Sequence, residues 1–376
     1  MDANHQSETF TVVPSVVRCA KVFLSLVVCA SGILSAAACG HQTVKPQTDV
    51  LQQMSGTDPA IPAKGDMGLD PELKNYQYPR ATAQFNFRSQ NQDLQMTYIL
   101  AEPAKPNGEV VLLLHGKNFS AGYWETTIRA LLDKGYRVIA PDQIGFGKSS
   151  KPTSYQFTFQ ALAANSKALL DSLKIERASV IGHSMGGMLA TRFALMYPAF
   201  TEKLILVNPI GLEDWKTLVP YRTVEENYQA ELKATPESIR EYQRTVYFDG
   251  HWKPEYDKLT EILSGWTKHP DYSRVAWNSA LTTDMVFTQP VLYEFPLIKN
   301  ETLLIIGVRD RTAIGKNWAA KPIAEKLGRY DLLGKKAARS IPKAKLVEIP
   351  KVGHMPQVEA FDQYLKAVLD FLPGGP

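Results

Sequence analysis

From about Gln84 onward, apolar and polar positions settle into a regular order. Residues 84–88 and 94–100 alternate as a strand pair, with Ser89 to Asp93 as the turn. Glu109 to His115 is a near-continuous apolar run, the pattern of a strand buried on both faces of a parallel sheet. A helical stretch over 123–134, a strand over 136–140 and a helix over 159–173 come next. The strand 178–181, a helix from Met188 to Met196 and the strand 204–207 continue the alternation. After a long gap it resumes with a strand over 301–306, a helical region from Pro322, a strand over 345–349 and a last helix from Phe361. Strands alternating with helices predict right-handed crossovers, hence an α/β fold on a mostly parallel sheet.

The gap is a region of its own. Residues 209–300 contain no strand pattern but hold 14 aromatic residues in 92 positions, above the 10% of the whole chain. Trp215, Tyr221, Tyr228, Tyr247, Trp252, Trp266 and Trp277 are among them. About four helices forming an inserted cap are expected, with most of these rings packing its own small core.

The N-terminus breaks the pattern in another way. Arg18 and Lys21 precede an apolar run from Val22 to Ala38 that ends Ser-Ala-Ala-Ala-Cys-Gly. A basic region, an apolar region and small residues at a cut make residues 1–38 a secretory signal peptide, and the run is short for a permanent membrane span. All three cysteines, Cys19, Cys29 and Cys39, lie in or at the edge of it, so cutting before Cys39 leaves a chain that can form no disulfide. Lipid attachment at Cys39 and plain release by cutting after Ala38 are both open. The expected location is therefore exported: periplasmic, lipid-anchored or secreted. Residues 39–75, rich in Gln, Pro, Gly, Thr and Asp, read as a flexible tether. That leaves 76–208 and 301–376 as the core and 209–300 as the cap.

Composition adds mainly exclusions. The net charge of +4 arises from 42 basic and 38 acidic residues that are mixed along the chain, and no basic stripe suggests nucleic acid.

The chemistry is concentrated at one motif. Gly182-His183-Ser184-Met185-Gly186 follows a strand and opens a helix, the strand–turn–helix context of a nucleophile elbow. A serine hydroxyl needs an adjacent base, itself oriented by a third group. His354 sits in a loop after the last strand, and Asp310 just past the strand ending at Ile306, so both emerge at the strand ends where Ser184 emerges. Ser184, Asp310 and His354 are the expected nucleophile, acid and base; Glu213 or Asp214, after the preceding strand, is the weaker acid. An oxyanion would need two N–H donors: Met185 supplies one, and the stretch His115-Gly116-Lys117-Asn118 the other, Lys117 being preferred over Asn118. His183 is read as a structural hydrogen-bonder. The stretch ending Gly147-Lys148-Ser149 fails as a phosphate loop because Asp142 stands at its first glycine position. No cluster has metal-ligand spacing, so no metal is expected.

Together, His115-Gly116, Pro141-Asp142-x-x-Gly145-x-Gly147-x-Ser149, Gly182-His183-Ser184-Met185-Gly186-Gly187, Gly307-x-x-Asp310 and Gly353-His354 resemble the α/β-hydrolase fold superfamily over residues 84–374. The resemblance implies an eight-stranded, mostly parallel sheet, a helical cap after the sixth strand and a hydrolase without cofactor. The loop 145–152 is similar to that of haloalkane dehalogenases and epoxide hydrolases. Those enzymes use an aspartate where this chain has Ser184, which argues against both activities. The expected function is an exported, carboxylesterase-like serine hydrolase acting on a small, largely apolar ester-like substrate through an acyl-enzyme. A lactonase or C–C bond hydrolase with the same triad is the alternative, and a non-catalytic envelope binding protein is the rival of another class.

Overall fold

The computed structural model describes residues 68–374. The leader, Cys39 and most of the expected tether lie outside them. Eight strands form one sheet: β1 (Ala83–Ser89), β2 (Gln92–Ala101), β3 (Val110–Leu114), β4 (Arg137–Pro141), β5 (Ala178–His183), β6 (Thr201–Val207), β7 (Glu301–Gly307) and β8 (Ala344–Ile349). Their spatial order is β1-β2-β4-β3-β5-β6-β7-β8. The pairs β1/β2 and β2/β4 are antiparallel and the other five are parallel, the eight-stranded, mostly parallel sheet that the resemblance implied.

The first hairpin is tighter than expected. Gln90 and Asn91 alone connect β1 to β2, both with positive φ (48° and 59°), the geometry of a two-residue turn matched to strand twist. The sequence there has no glycine to mark a two-residue turn, so its polar run 89–93 reads as a longer one.

Helices α1 (Glu125–Asp133), α2 (Phe159–Ser172) and α3 (Met185–Met196) follow β3, β4 and β5. Between β6 and β7 the described chain forms α4 (Val224–Glu231), α5 (Pro236–Tyr242), α6 (Glu261–Trp266) and α7 (Tyr272–Thr288), with short helical turns and no strand. Capping boxes start α4 at Thr223/Glu226 and α5 at Thr235/Ser238, each satisfying N–H groups that a helix leaves free at its start. Then come α8 (Lys321–Ala324), α9 (Tyr330–Ser340), α10 (Pro356–Glu359) and α11 (Phe361–Leu369).

The period of two along each strand divides the core into two layers. Leu112, Leu114, Val180, Leu204, Leu206 and Leu304 point to one face, where α2, α3 and α9 cover them. Val111, Leu113, Ile181, Ile205, Val207 and Ile305 point to the other, against α1 and α11. Burial on both faces is what made these strands near-continuous apolar runs.

Residues 68–75 correct the expected tether. Leu73 is fully buried, Leu69 N–H donates to Gly265 O at 2.9 Å, and Trp266 Nε1 donates to Asp70 O at 3.1 Å. Arg274 of α7 grips the Glu72 carboxylate with two nitrogens. Leu69, Leu73, Tyr76 and Tyr78 are too irregularly spaced to form a periodic pattern, yet this strap joins α6 and α7 to the core. Among the described residues no helix is long and apolar enough to cross a membrane.

Candidate active site

The turn between β5 and α3 is set by close backbone approach. A Cβ on Gly182 would lie 2.0 Å from Gly186 O, and one on Gly186 would lie 2.1 Å from Leu114 O. Only glycine lets the helix start pass that close to the strand. Ser184 takes φ 57° and ψ −121°, a sparsely populated conformation for a residue with a side chain. It is held by hydrogen bonds from Ser184 N to Val207 O at 3.1 Å, and to Ser184 O from Gly187 N at 2.8 Å and Ile210 N at 3.2 Å. Met185, which follows, is the first residue of α3, where N–H groups have no partner within the helix.

Asp310, three residues beyond β7, and His354, five beyond β8, meet as a fully buried pair with His354 Nδ1 donating to Asp310 Oδ2 at 2.7 Å. The same Oδ2 accepts Asn208 Nδ2 at 2.7 Å, and Oδ1 accepts Thr312 N at 2.8 Å. Burial pushes the Asp310 carboxyl up, but His354 and the hydrogen bonds from His354 and Thr312 outweigh it and hold the group below its ordinary value. Asn208 is fixed in turn, its Oδ1 accepting Gly307 N at 2.8 Å.

With Nδ1 committed to Asp310, the other ring nitrogen of His354 is left over. His354 Nε2 is buried and has no hydrogen-bond partner in the protein. The backbone around it is held from two sides. His354 N donates to Tyr247 O at 2.8 Å, and the Tyr247 ring lies 4.6 Å from the imidazole at 30°. On the other side His183 Nε2 donates to His354 O at 2.9 Å, and His183 Nδ1 accepts from Tyr123 OH at 3.1 Å. Because a carbonyl can only accept, these bonds fix the His183 tautomer. Burial and the neighbouring His354 push His183 well below its ordinary value, so it stays neutral.

The structure thus pairs Asp310 with His354 directly and brings Ser184 to the same rim of strand ends through its neighbour His183. No hydrogen bond joins Ser184 Oγ to His354 Nε2 in this conformation. Catalytic hydrogen bonds often tighten only with substrate bound. Glu213 and Asp214 lie elsewhere: Glu213 accepts from Gly328 N and Trp215 Nε1, and Asp214 from Lys216 N and Tyr293 OH.

The stretch after β3 packs on the serine turn. A Cβ on Gly116 would lie 3.1 Å from Ser184 Cβ, and Phe119 N donates to Gly116 O at 3.1 Å, closing a turn around Lys117 and Asn118. His115 is locked beneath it, donating from Nδ1 to Gly116 O at 2.8 Å and accepting Gln143 N on Nε2 at 3.0 Å. The Asp142 loop beside it is organised by a buried carboxylate. Asp142 accepts Ala121 N at 2.6 Å, Lys148 N at 2.7 Å and Tyr78 OH at 2.8 Å. Gly147, at φ +48°, leaves room for that carboxylate, 2.2 Å from where a Cβ would sit.

Sequence reasoning missed three residues of this site. Asn208 has no acidic group to mark it as a candidate, although its place at the end of β6 puts it beside Asp310. Tyr123 gave no signal, and Tyr247 was one aromatic among many. Among the described residues no group of three or more His, Cys, Asp or Glu is arranged to hold a metal ion.

Comparison with known proteins agrees with this architecture. The sequence model of the alpha/beta hydrolase fold matches residues 109–252. A 2-hydroxy-6-oxononadienedioate/2-hydroxy-6-oxononatrienedioate hydrolase of Comamonas testosteroni is 30% identical over 287 residues, covering 71% of this chain and 89% of the relative. A 2-hydroxy-6-oxo-6-phenylhexa-2,4-dienoate hydrolase of Burkholderia cepacia is 30% identical over 278 residues, with the same 71% and 89% coverage. Among solved structures, a probable hydrolytic enzyme from Pseudomonas aeruginosa PAO1 is 52% identical with a TM-score of 0.80, over 81% of this chain and 99% of that one. The chain belongs to the α/β-hydrolase fold family.

Proposed function

We propose that this α/β-hydrolase is an exported serine hydrolase that cleaves a small, largely apolar ester-like substrate through an acyl-enzyme. The observation that carries the reading is the buried His354–Asp310 pair, 2.7 Å apart, with His354 Nε2 left without a partner beside the serine turn. An imidazole whose Nδ1–H is anchored on a carboxylate has one free nitrogen, and that nitrogen can only act as a base. Ser184 Oγ attacks the acyl carbon while its proton passes to His354 Nε2. Asp310 stabilises the imidazolium, and the N–H groups of Met185 and Lys117 receive the oxyanion. Collapse breaks the C–O bond, and the leaving alkoxide takes the proton from His354. Water, with its proton drawn by the same nitrogen, then frees the acid and restores Ser184. Export rests on the leader pattern, which leaves two outcomes, a lipid attached at Cys39 or release by cutting after Ala38.

The relatives favour a second reading, since two of them are named for hydrolysis of 2-hydroxy-6-oxo-dienoates. The same serine and base can cleave a C–C bond beside the oxo group once the dienol is ketonised and the departing carbon is stabilised as an enolate.

A panel of aryl esters of increasing chain length, with 2-hydroxy-6-oxo-6-phenylhexa-2,4-dienoate alongside, tests both on the wild type and Ser184→Ala. Ester turnover that falls by at least about 10³-fold in the variant supports the first reading. Turnover of the dienoate alone supports the second. Equal rates in wild type and variant would remove the serine mechanism altogether.

A further inference from the structure

Lys117 follows the close-packed Gly116, in a loop where a lysine is ordinarily solvated. Its side chain is instead only 14% exposed and reaches into the helices between β6 and β7. Nζ donates to Ser279 Oγ of α7 at 2.7 Å and lies 3.7 Å from Glu231 Oε1 at the end of α4. The Ser279 hydroxyl donates to that same Oε1 at 2.8 Å. An ammonium has no acceptor and a hydroxyl one proton, so the order of donation is fixed: Lys117 to Ser279 to Glu231. Tyr272 OH, also on α7, donates to Glu231 O at 3.1 Å. The carboxylate already matches the charge of Lys117, which leaves the ammonium a tie between elements rather than a receptor for an anionic substrate.

The next residue repeats the arrangement. Asn118 Nδ2 donates to Tyr247 OH at 2.8 Å, and Tyr247 O accepts the N–H of His354. Both central residues of the turn over the serine are therefore held by side chains that end on the helical segment. The backbone of the turn itself is closed by the hydrogen bond from Phe119 N to Gly116 O.

We propose that Lys117 is a positioning residue whose side chain latches the turn carrying the second oxyanion donor to α4 and α7, so that the donor is held in register only while those helices cover the site. This rests on the reading of Lys117 N–H as that donor. An oxyanion exists only after attack, so a donor that drifts weakens transition-state binding and leaves substrate binding alone. Deleting an oxyanion donor outright costs about 10²–10³ in kcat. Loosening one while keeping its N–H should cost about 10-fold.

The test is steady-state kinetics and thermal melting of the full chain, with the aryl ester that the panel identifies, for the wild type, Lys117→Met, Lys117→Arg, Glu231→Gln and the Lys117→Met/Glu231→Gln pair. Fluorophosphonate labelling of Ser184 gives a second rate, because the phosphonyl oxygen enters the same site. The expected result is a kcat about 10-fold lower in Lys117→Met with KM within about twofold, partial recovery in Lys117→Arg, and a double variant no slower than Lys117→Met. Should Lys117→Met melt before assay temperature, Ser279→Ala, which removes the acceptor of the Lys117 ammonium, carries the same comparison. Wild-type kcat and labelling rate in both variants, a loss confined to KM, or additive losses in the pair would overturn the latch. Ser184→Ala run beside them reports separately on the serine reading: full activity there removes the reading itself, whatever Lys117 does.

Discussion

Asn208 supports the Asp310–His354 pair from the end of β6, and replacing it with alanine has a cost that can be built from its contacts. Three terms enter. Asn208 has φ 36°, where asparagine is tolerated and alanine is strained by about 1 kcal/mol. Gly307 N loses its acceptor at 2.8 Å, and an orphaned buried N–H costs about 1–3 kcal/mol. Asp310 Oδ2 loses a donor at 2.7 Å, worth about 1.5–3 kcal/mol because the acceptor is charged. Water entering the vacated space returns part of this, so the expected loss is about 4 kcal/mol, or a fall in Tm of about 6 °C for a domain of this size. The pH dependence gives a sharper check. Asp310 is held below its ordinary value, so its contribution is complete above the unfolded carboxyl value of about 3.9 and is lost as pH falls through the lower folded one. Without Asn208 the folded value moves up, and that contribution shrinks. The deficit of the variant should therefore be largest near pH 7 and narrow as pH approaches 3. Calorimetry and urea unfolding of both proteins across that range measure it. A Tm within about 2 °C of wild type at pH 7, or a deficit independent of pH, would refute the reasoning.

Two further outcomes follow from single residues. Lys151 is buried, donates to Gly147 O at 2.7 Å and Ser149 O at 3.1 Å, and is lowered by burial to about 7. Two carbonyls suit the two hydrogens of a neutral amine. Because the unfolded chain binds this proton up to about pH 10.4, stability should rise with pH between about 7 and 10 by up to ~1.4 kcal/mol per unit. Urea midpoints should lose that slope in Lys151→Met, and parallel curves would show that Lys151 is charged in the fold. If Cys39 carries a lipid, labelled palmitate should enter the wild type in its native host and not Cys39→Ala, whereas equal or absent labelling in both counts against the anchor.

The parts of the molecule legible in the sequence are those whose physics is local or repeats along the chain. Val110 to Leu114 reads as a central strand because both faces are buried, and Ser184, Asp310 and His354 stand where such runs break off. What escaped is carried by backbone atoms or by distant contacts. Tyr247 matters through its carbonyl, which holds the N–H of His354, and a carbonyl leaves no trace in residue type. Nothing separates Tyr247 from Phe248 or Tyr256 until the chain is folded. The strap at 68–75 is hidden in the same way: Leu69 and Leu73 are two apolar residues in a polar stretch, and their value lies in the surface formed by α6 and α7 far along the chain.

The same division separates what the reaction is from what it acts on. The residues proposed to make and break bonds follow β5, β7 and β8, which lie within four consecutive parallel strands, so their meeting at one rim is enforced by the sheet order. The contacts that tie α4–α7 to the site arise instead from side chains far apart in the chain, such as Lys117 and Ser279, 162 residues apart. A substitution at the rim should therefore change rate on every substrate alike, whereas one in the helices should reorder substrates with the triad untouched. Lys117 sits on the boundary, with its N–H proposed as an oxyanion donor and its ammonium tied to the helices. Comparing Lys117→Met across the ester panel separates those roles: a uniform kcat loss belongs to the latch, and a loss that grows with acyl length belongs to the substrate wall.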